Sequence, residues 1–322
     1  MTRWGRCAFV FPGQGCQFAG MGKGLCAHFK GARQVFEEAS DALGFDMARM
    51  CFDAPLEVLD RPSRTRPATC TVSLAALRAF TDEAGPLWPS YFAGHSLGEY
   101  TACVAAHVIP MAATLRGLRA VGEAMEGVPG TTAAIIGMGR DDIRSLCAAA
   151  SRAGLVTPTC FNMPGQVVIG GERAAVACAT DLARQRGARV VRLAVGAPCH
   201  TPLMARVEPE FRAAFQSVAF GPAIVPLISN VGPQLHEGGA LARELLASHL
   251  TAPVEWEHSL DILCREGVDA FVEFGPAPIL TRLLARCHPA VATWAVCDRD
   301  SLREAVAAGA GARRPLRDHA RS

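Results

Sequence analysis

Short apolar runs alternate with longer amphipathic stretches over most of the chain. Five runs are rich in β-branched or aromatic residues and have the length of buried strands: Cys7–Phe11, Tyr91–Ala93, Val225–Ile228, Ala270–Glu273 and Val291–Ala295. Between them, apolar positions recur at helical spacing, as in Ala32–Leu43, Pro110–Met125 and Glu255–Arg265. This alternation predicts an α/β fold, with a mostly parallel sheet covered by helices.

The middle of the chain shows a different order of elements. Its pattern predicts strands at Thr131–Met138, Leu155–Cys160, Gln166–Ile169 and Arg189–Leu193, and helices at Asp141–Ala153 and Ala174–Arg186. The order β-α-β-β-α-β is typical of a ferredoxin-like α+β subdomain. Breaker clusters at Val128–Gly130 and Gly196–Pro198 mark its edges. We therefore predict a subdomain of residues 129–198 inserted into a large α/β domain of residues 1–128 and 199–309, with a disordered tail at 310–322.

Composition and charge exclude several classes of protein. Of the 322 residues, 50% are hydrophobic and 19% are charged, which favours a compact enzyme over a disordered chain. The net charge of +2 predicts binding to neither nucleic acid nor a membrane surface. No run of about 18 apolar residues exists, and the N-terminus lacks the apolar region of a signal peptide. We expect a soluble protein.

The 13 cysteines do not form a metal or disulfide pattern. Their number is odd, and no two of them have the CxxC spacing that structural zinc sites use. Most lie among Ala, Val and Leu, where a thiol packs as a small hydrophobe. We therefore expect no metal, reduced thiols and a cytoplasmic location.

The stretch around Ser96 carries the clearest chemical signal. The predicted strand at Tyr91–Ala93 leads into Gly94–Gly98, which reads G-H-S-L-G, and a helix follows directly. A G-x-S-x-G pentapeptide between a strand and a helix predicts a nucleophile elbow, so we expect the large domain to be α/β-hydrolase-like. Ser96 is then the nucleophile, and the Leu97 N–H is placed to donate to an oxyanion.

A nucleophilic serine needs a base, and His200 is the best candidate among the nine histidines. It lies in a segment rich in Pro and Gly, where the subdomain returns to the large domain, and clefts between domains commonly hold active sites. His95 belongs to the elbow itself and is expected to orient it. Six others, His28, His107, His236, His258, His288 and His319, have no accompanying pattern.

At this point the chain resembles the malonyl-CoA:acyl carrier protein transacylases and the acyltransferase domains of polyketide synthases, from about residue 7 to residue 300. Seven segments carry the resemblance in the family's order: Phe9–Gln17 (similar to FPGQGSQ), Gly94–Tyr100 (GHSLGEY), Phe161–Gly170, Pro198–Met204 (similar to PFHSPLM), Ile228–Val231, Pro253–Trp256 and Glu273–Pro276. The resemblance implies an acyl-enzyme on Ser96, with His200 as base and Gln14 and Leu97 as oxyanion donors. It implies no triad carboxylate and no cofactor. Acyl groups would arrive on the phosphopantetheine of an acyl carrier protein or on coenzyme A.

The resemblance also implies roles for residues around the acyl group. A backbone carbonyl near His249 would hold the His200 imidazole, although relatives have Gln at this position. His95, Asn162 and Cys199 would line the pocket, with Asn162 on a loop over it.

One departure from the family pattern bears on the substrate. Malonyl-transferring members place an arginine 25 residues after the nucleophile to bind the malonyl carboxylate, and here that position is Val121. Arg119 and Arg116 lie on other faces of the same predicted helix. Since a buried carboxylate without a partner is costly, Val121 predicts a pocket for non-carboxylated acyl groups, unless a local shift restores Arg119.

Three functions remain open from the sequence. The first is an enzyme for neutral acyl thioesters, either transferring them or hydrolysing them like the stand-alone proofreading acyl hydrolases of trans-acyltransferase polyketide systems. The second is a malonyl-CoA:acyl carrier protein transacylase in which Arg119 or another cation binds the carboxylate. The third is a catalytically silent subunit that docks carrier proteins, which the presence of Ser96, His200 and Gln14 argues against.

Overall fold

The structure is a computed structural model, and it describes residues 5–85, 87–193 and 197–310. Ten strands form within these residues: β1 Cys7–Phe11, β2 Tyr91–Gly94, β3 Thr131–Ile136, β4 Val156–Met163, β5 Gln166–Gly171, β6 Arg189–Arg192, β7 Pro222–Ile228, β8 Leu235–Gly238, β9 Ala270–Phe274 and β10 Ala292–Val296. They confirm every predicted strand to within a few residues. Only β8 lacks a counterpart in the sequence-based prediction.

Fourteen α-helices occur in the same described ranges. They are α1 Lys23–His28, α2 Lys30–Leu43, α3 Met47–Asp53, α4 Leu56–Leu59, α5 Pro62–Ala84, α6 Gly98–Ala105, α7 Met111–Glu126, α8 Arg140–Ala150, α9 Arg173–Gln185, α10 Glu208–Phe215, α11 Gly239–Ser248, α12 Trp256–Arg265, α13 Leu280–Cys287 and α14 Arg299–Ala310. Two 3₁₀ helices lie at Ser151–Ala153 and Pro202–Val207. None of the helices described is both long and apolar enough to cross a membrane.

The strands form two sheets. The larger has the order β10-β9-β1-β2-β7-β8 and is parallel apart from β8, which runs antiparallel to β7. The smaller is antiparallel, with the order β4-β5-β3-β6 and helices α8 and α9. These sheets confirm the α/β class and the β-α-β-β-α-β order of the middle segment. The domain boundaries themselves stay a prediction. The predicted tail begins inside α14, and residues 311–322 lie outside the described part.

The large sheet positions the chemistry. Its inner strand β1 is buried along its whole length and pairs with β2 on one side and β9 on the other. Loops after the carboxyl ends of β1, β2 and β7 therefore meet at one edge of the sheet, where ligands bind in α/β folds. Gln14, Ser96 and Asn230 lie on these three loops or turns.

Candidate active site

Ser96 lies on the sharp turn between β2 and α6. Its φ of 54° is in the left-handed region that L residues rarely adopt. The turn also brings α6 against β1, because a Cβ atom at Gly98 would lie only 2.0 Å from the Phe11 carbonyl oxygen. The flanking glycine is therefore a steric requirement, as in the nucleophile elbow that the sequence predicts.

Asn230, two residues after the end of β7, forms hydrogen bonds with this turn. The Ser96 N–H donates a 2.6 Å hydrogen bond to Asn230 Oδ1, and Asn230 Nδ2 donates to the Gly94 carbonyl at 2.7 Å. The Asn230 N–H in turn donates to the buried carboxyl of Glu99 at 3.1 Å. Asn230 lies in Ile228–Val231, one of the segments that resemble the family, and no role was expected for it. Its only sequence signal is an amide two residues after a buried strand.

Ser96 and His200 are in direct contact. Ser96 Oγ lies 2.7 Å from His200 Nε2, and His200 Nδ1 lies 2.7 Å from the His249 carbonyl oxygen. Nδ1–H donates to that carbonyl, which leaves Nε2 free to accept the serine proton. The carbonyl thus takes the place of a triad carboxylate, and this geometry can activate the hydroxyl as a nucleophile.

Burial keeps His200 uncharged. It lowers the pKa of His200 to about 4, an effect that the His249 carbonyl partly offsets and that the charges of His95 and Arg66 reinforce. The neighbouring His249 ring is 4.7 Å away, and its own pKa is lowered well below the ordinary value, again mainly by burial. The base is therefore neutral near pH 7 and available to take a proton.

A cleft of about 560 Å³ opens in front of the pair. Gln14, His95, Asn162 and Cys199 line it together with Ser96 and His200. His95 Nε2 lies 2.7 Å from Asn162 Oδ1. Asn162 lies in β4, at an irregularity in its pairing with β5, so the expectation of a loop was wrong. A bulge turns the side chain towards the cleft without leaving the strand.

The two expected oxyanion donors are available. Gln14 follows β1 on the cleft wall, and Leu97 follows Ser96 at the start of α6. Within the described residues, neither the Gln14 N–H nor the Leu97 N–H donates a hydrogen bond to another residue. A free N–H beside a nucleophilic serine can stabilise the oxyanion that forms when the serine attacks a carbonyl.

Comparisons with known proteins identify the family. The family model described as acyl transferase domain matches residues 8–300 of this chain. The malonyl CoA-acyl carrier protein transacylase of Escherichia coli K12 is 37% identical over 284 residues, which cover 87% of this chain and 92% of the relative. A protein of the same name from Bacillus subtilis is 37% identical over 292 residues, 89% of this chain and 73% of the relative.

Solved structures agree with these relatives. The transacylase of Coxiella burnetii has a TM-score of 0.92 at 30% identity, covering 97% of this chain and all of the other. A malonyl-transacylase in complex with a type II polyketide synthase acyl carrier protein has a TM-score of 0.90 at 35% identity, covering 94% and 99%. The chain belongs to the acyl transferase domain family. It is an acyltransferase.

In this acyltransferase, Val121 does not line the cavities next to Ser96. It is buried in the main core on α7, and the residue of α7 that reaches the active site is Met125, one turn further on. Arg119 is directed away from the site. Its Nε binds Glu123 at 2.9 Å and its Nη1 donates to the Leu43 carbonyl at 3.2 Å. The local shift that would restore Arg119 is therefore absent.

The acyltransferase has another arginine near Ser96, which no pattern in the sequence predicted. Arg66, on α5, lines a cavity of about 10 Å³ together with Ser96 and His200. Its side chain is buried, with the residue only 4% exposed. The one available sequence signal was weak: Arg66 stands directly before Pro67–Leu77, a stretch without any charge.

Proposed function

We propose that this acyltransferase moves malonyl groups from coenzyme A to the phosphopantetheine thiol of an acyl carrier protein, through an ester on Ser96. The contact between Ser96 and His200 carries the proposal, because it supplies the nucleophile and base that acyl transfer needs. The relatives of known name support the malonyl donor and the carrier-protein acceptor. The carrier-protein complex of one relative supports the partner.

The first half of the reaction loads the serine. Ser96 Oγ attacks the thioester carbonyl while His200 Nε2 takes the hydroxyl proton, and the N–H groups of Gln14 and Leu97 stabilise the oxyanion. The C–S bond then breaks. The departing sulfur takes the proton from His200, which leaves free coenzyme A and malonyl-Ser96.

The second half reverses these steps with another thiol. His200 takes the proton of the carrier-protein thiol, and the thiolate attacks the ester carbonyl. The C–O bond to Ser96 breaks, and the serine oxygen regains a proton from His200. No cofactor takes part, since the phosphopantetheine arm enters as part of the substrate.

Val121 favours a second candidate, the hydrolysis or transfer of neutral acyl groups. The position at which the resemblance implies an arginine is apolar here, and Arg119 does not replace it. This function uses the same Ser96 ester and differs in the acyl group that the pocket accepts.

Intact-mass spectrometry with two donors separates the candidates. We expect malonyl-CoA to add one malonyl group to the protein, and a phosphopantetheinylated carrier protein to remove it and gain the same mass. Ser96→Ala should abolish loading. If the protein instead releases acetyl groups from acetyl-carrier protein and leaves malonyl-carrier protein intact, the proposal is wrong and the neutral-acyl function replaces it.

A further inference from the structure

Arg66 is a buried cation without a matching anion. Within the described residues its Nε has no hydrogen-bond partner, its Nη1 has a long contact of 3.5 Å to Gln14 Oε1, and its remaining polar partner is the neutral Tyr100 hydroxyl. Its guanidinium lies 5.6 Å from the centre of the Tyr100 ring. Among the described residues, no carboxylate forms an ion pair with it.

The nearest buried acid on the elbow does not neutralise Arg66. Glu99 accepts a hydrogen bond from the Asn230 N–H and lies 3.9 Å from His249 Nε2. Burial raises the pKa of Glu99 to about 8, so this carboxyl is mostly protonated at neutral pH. Since arginine stays charged in proteins, the folded enzyme bears the cost of an unpaired charge. Such a cost is expected where a substrate supplies the partner.

Arg66 faces the reacting atoms. Ser96 and His200 line the same cavity as Arg66, together with Met125 and Met204. Its charge acts on the site, because it adds to burial in lowering the pKa of His200 and of His249. The cavity of about 10 Å³ holds roughly one water molecule. Two flexible methionine side chains, Met125 and Met204, form part of its wall, and their movement would enlarge the cavity for a short acyl group.

Helix packing brings Arg66 to this place. A Cβ atom at Gly122 of α7 would lie 2.6 Å from the Pro62 backbone, so α7 and the start of α5 are in contact. Arg66 is one turn beyond Pro62, and Val121 is next to Gly122. The two positions flank the same helix crossing. Val121 is apolar and packs into the main core, so the guanidinium near this crossing comes from α5.

We propose that Arg66 binds the free carboxylate of the acyl group on Ser96 and is the residue that selects malonyl over neutral acyl groups. This inference rests on the proposed function, since it assigns a partner to the malonyl carboxylate. The unpaired Nε and the terminal nitrogens offer the forked set of donors that matches a carboxylate. Binding would also remove the cost of the unpaired charge.

The test measures malonyl and acetyl loading of Ser96 from their coenzyme A thioesters in the wild type and in R66Q, R66K and R119Q. We expect R66Q to lower malonyl loading by about 100-fold or more while acetyl loading stays within a few-fold or rises. R66K keeps the positive charge but lacks the bidentate donors of a guanidinium, so it should retain part of the preference for malonyl over acetyl. R119Q is the matched control because Arg119 lies on the adjacent helix but faces away, and its loading should be unchanged.

The outcomes separate this inference from the proposed function. If the wild type loads acetyl and not malonyl, the proposed malonyl transfer and the role of Arg66 are both wrong. If the wild type loads malonyl and R66Q keeps the same ratio of malonyl to acetyl, or loses both activities equally, only the role of Arg66 is wrong. Circular dichroism of each variant checks folding. R66K still decides the question if R66Q does not fold, because a lysine that leaves the ratio unchanged contradicts carboxylate binding by a fork.

Discussion

His200 occupies a dry and crowded position. It has a φ of 61°, contacts the ring of His249 and donates to a backbone carbonyl instead of a carboxylate. Among the described residues no carboxylate forms an ion pair with His200, so the charged form is costly. The same feature makes the base neutral over a wide pH range, which suits a step that begins with proton removal from Ser96.

The pH dependence of loading follows from this environment. The rate of malonyl loading should be flat from neutral pH down to about one unit above the His200 pKa, and should fall as the pH approaches about 4. The rate falls towards low pH because only the neutral imidazole can take the proton of Ser96. Rapid-mixing pH jumps followed by mass spectrometry measure this profile, and circular dichroism at each pH excludes unfolding. A decline that already begins near pH 6.5 would show that His200 is not desolvated as the structure has it.

At the level of single residues, the sequence predicted the site residues that belong to short contiguous motifs. The pentapeptide around Ser96 and the segment around His200 are contiguous, so both could be identified and paired through the family resemblance. Arg66 and Asn230 reach the site only through tertiary packing, from 30 residues before Ser96 and from the end of β7. Val121 shows the converse. Its position was predicted as pocket, but Met125 fills that place on the helix.

At the scale of elements, hydrophobic periodicity identified the strands well because they are buried runs between breakers. Helix α5 was not predicted. Its proline at position 67 argues against a helix interior, and small and hydroxyl residues predominate among its buried positions, so that large apolar residues such as Leu74 and Phe80 are few. That helix carries Arg66, so the missed element and the missed site residue have the same cause.

The close contact between α6 and β1 makes a sharp prediction for glycine substitutions. Gly98→Ala should lower the free energy of unfolding by about 3 kcal/mol or more and abolish loading, because its Cβ would collide with the Phe11 backbone, which has no flexible end to move. Gly24→Ala is the matched control. Its Cβ would meet nothing within 4 Å in helix α1, so stability should rise by up to about 1 kcal/mol. Urea denaturation measures both, and a Gly98→Ala variant of wild-type stability would contradict the elbow geometry.

At the scale of the whole molecule, the two sheets share part of their core. One apolar cluster includes Ala8 and Val10 of β1 together with Ala134 of β3 and Val168 of β5. Val254, just before α12, exchanges backbone hydrogen bonds with β4, donating to Thr159 and accepting from Phe161 at 2.8 Å each. Arg140 of α8 adds an ion pair to Glu255 at 2.5 Å. The cleft between Asn162 and Ser96 is therefore held by continuous packing.

This shared core predicts that the two sheets unfold together. Val254 is fully buried in the joint cluster, so Val254→Ala should cost about 2 kcal/mol and lower the single melting transition by about 3 °C. Val58→Ala is the matched control, because Val58 lies at the surface on α4 and its loss should change stability by less than about 0.5 kcal/mol. Differential scanning calorimetry should give one peak for the wild type and for both variants. Two peaks, with only one displaced by Val254→Ala, would show that the small sheet unfolds independently. The position of Asn162 relative to Ser96 would then not be fixed by a shared core.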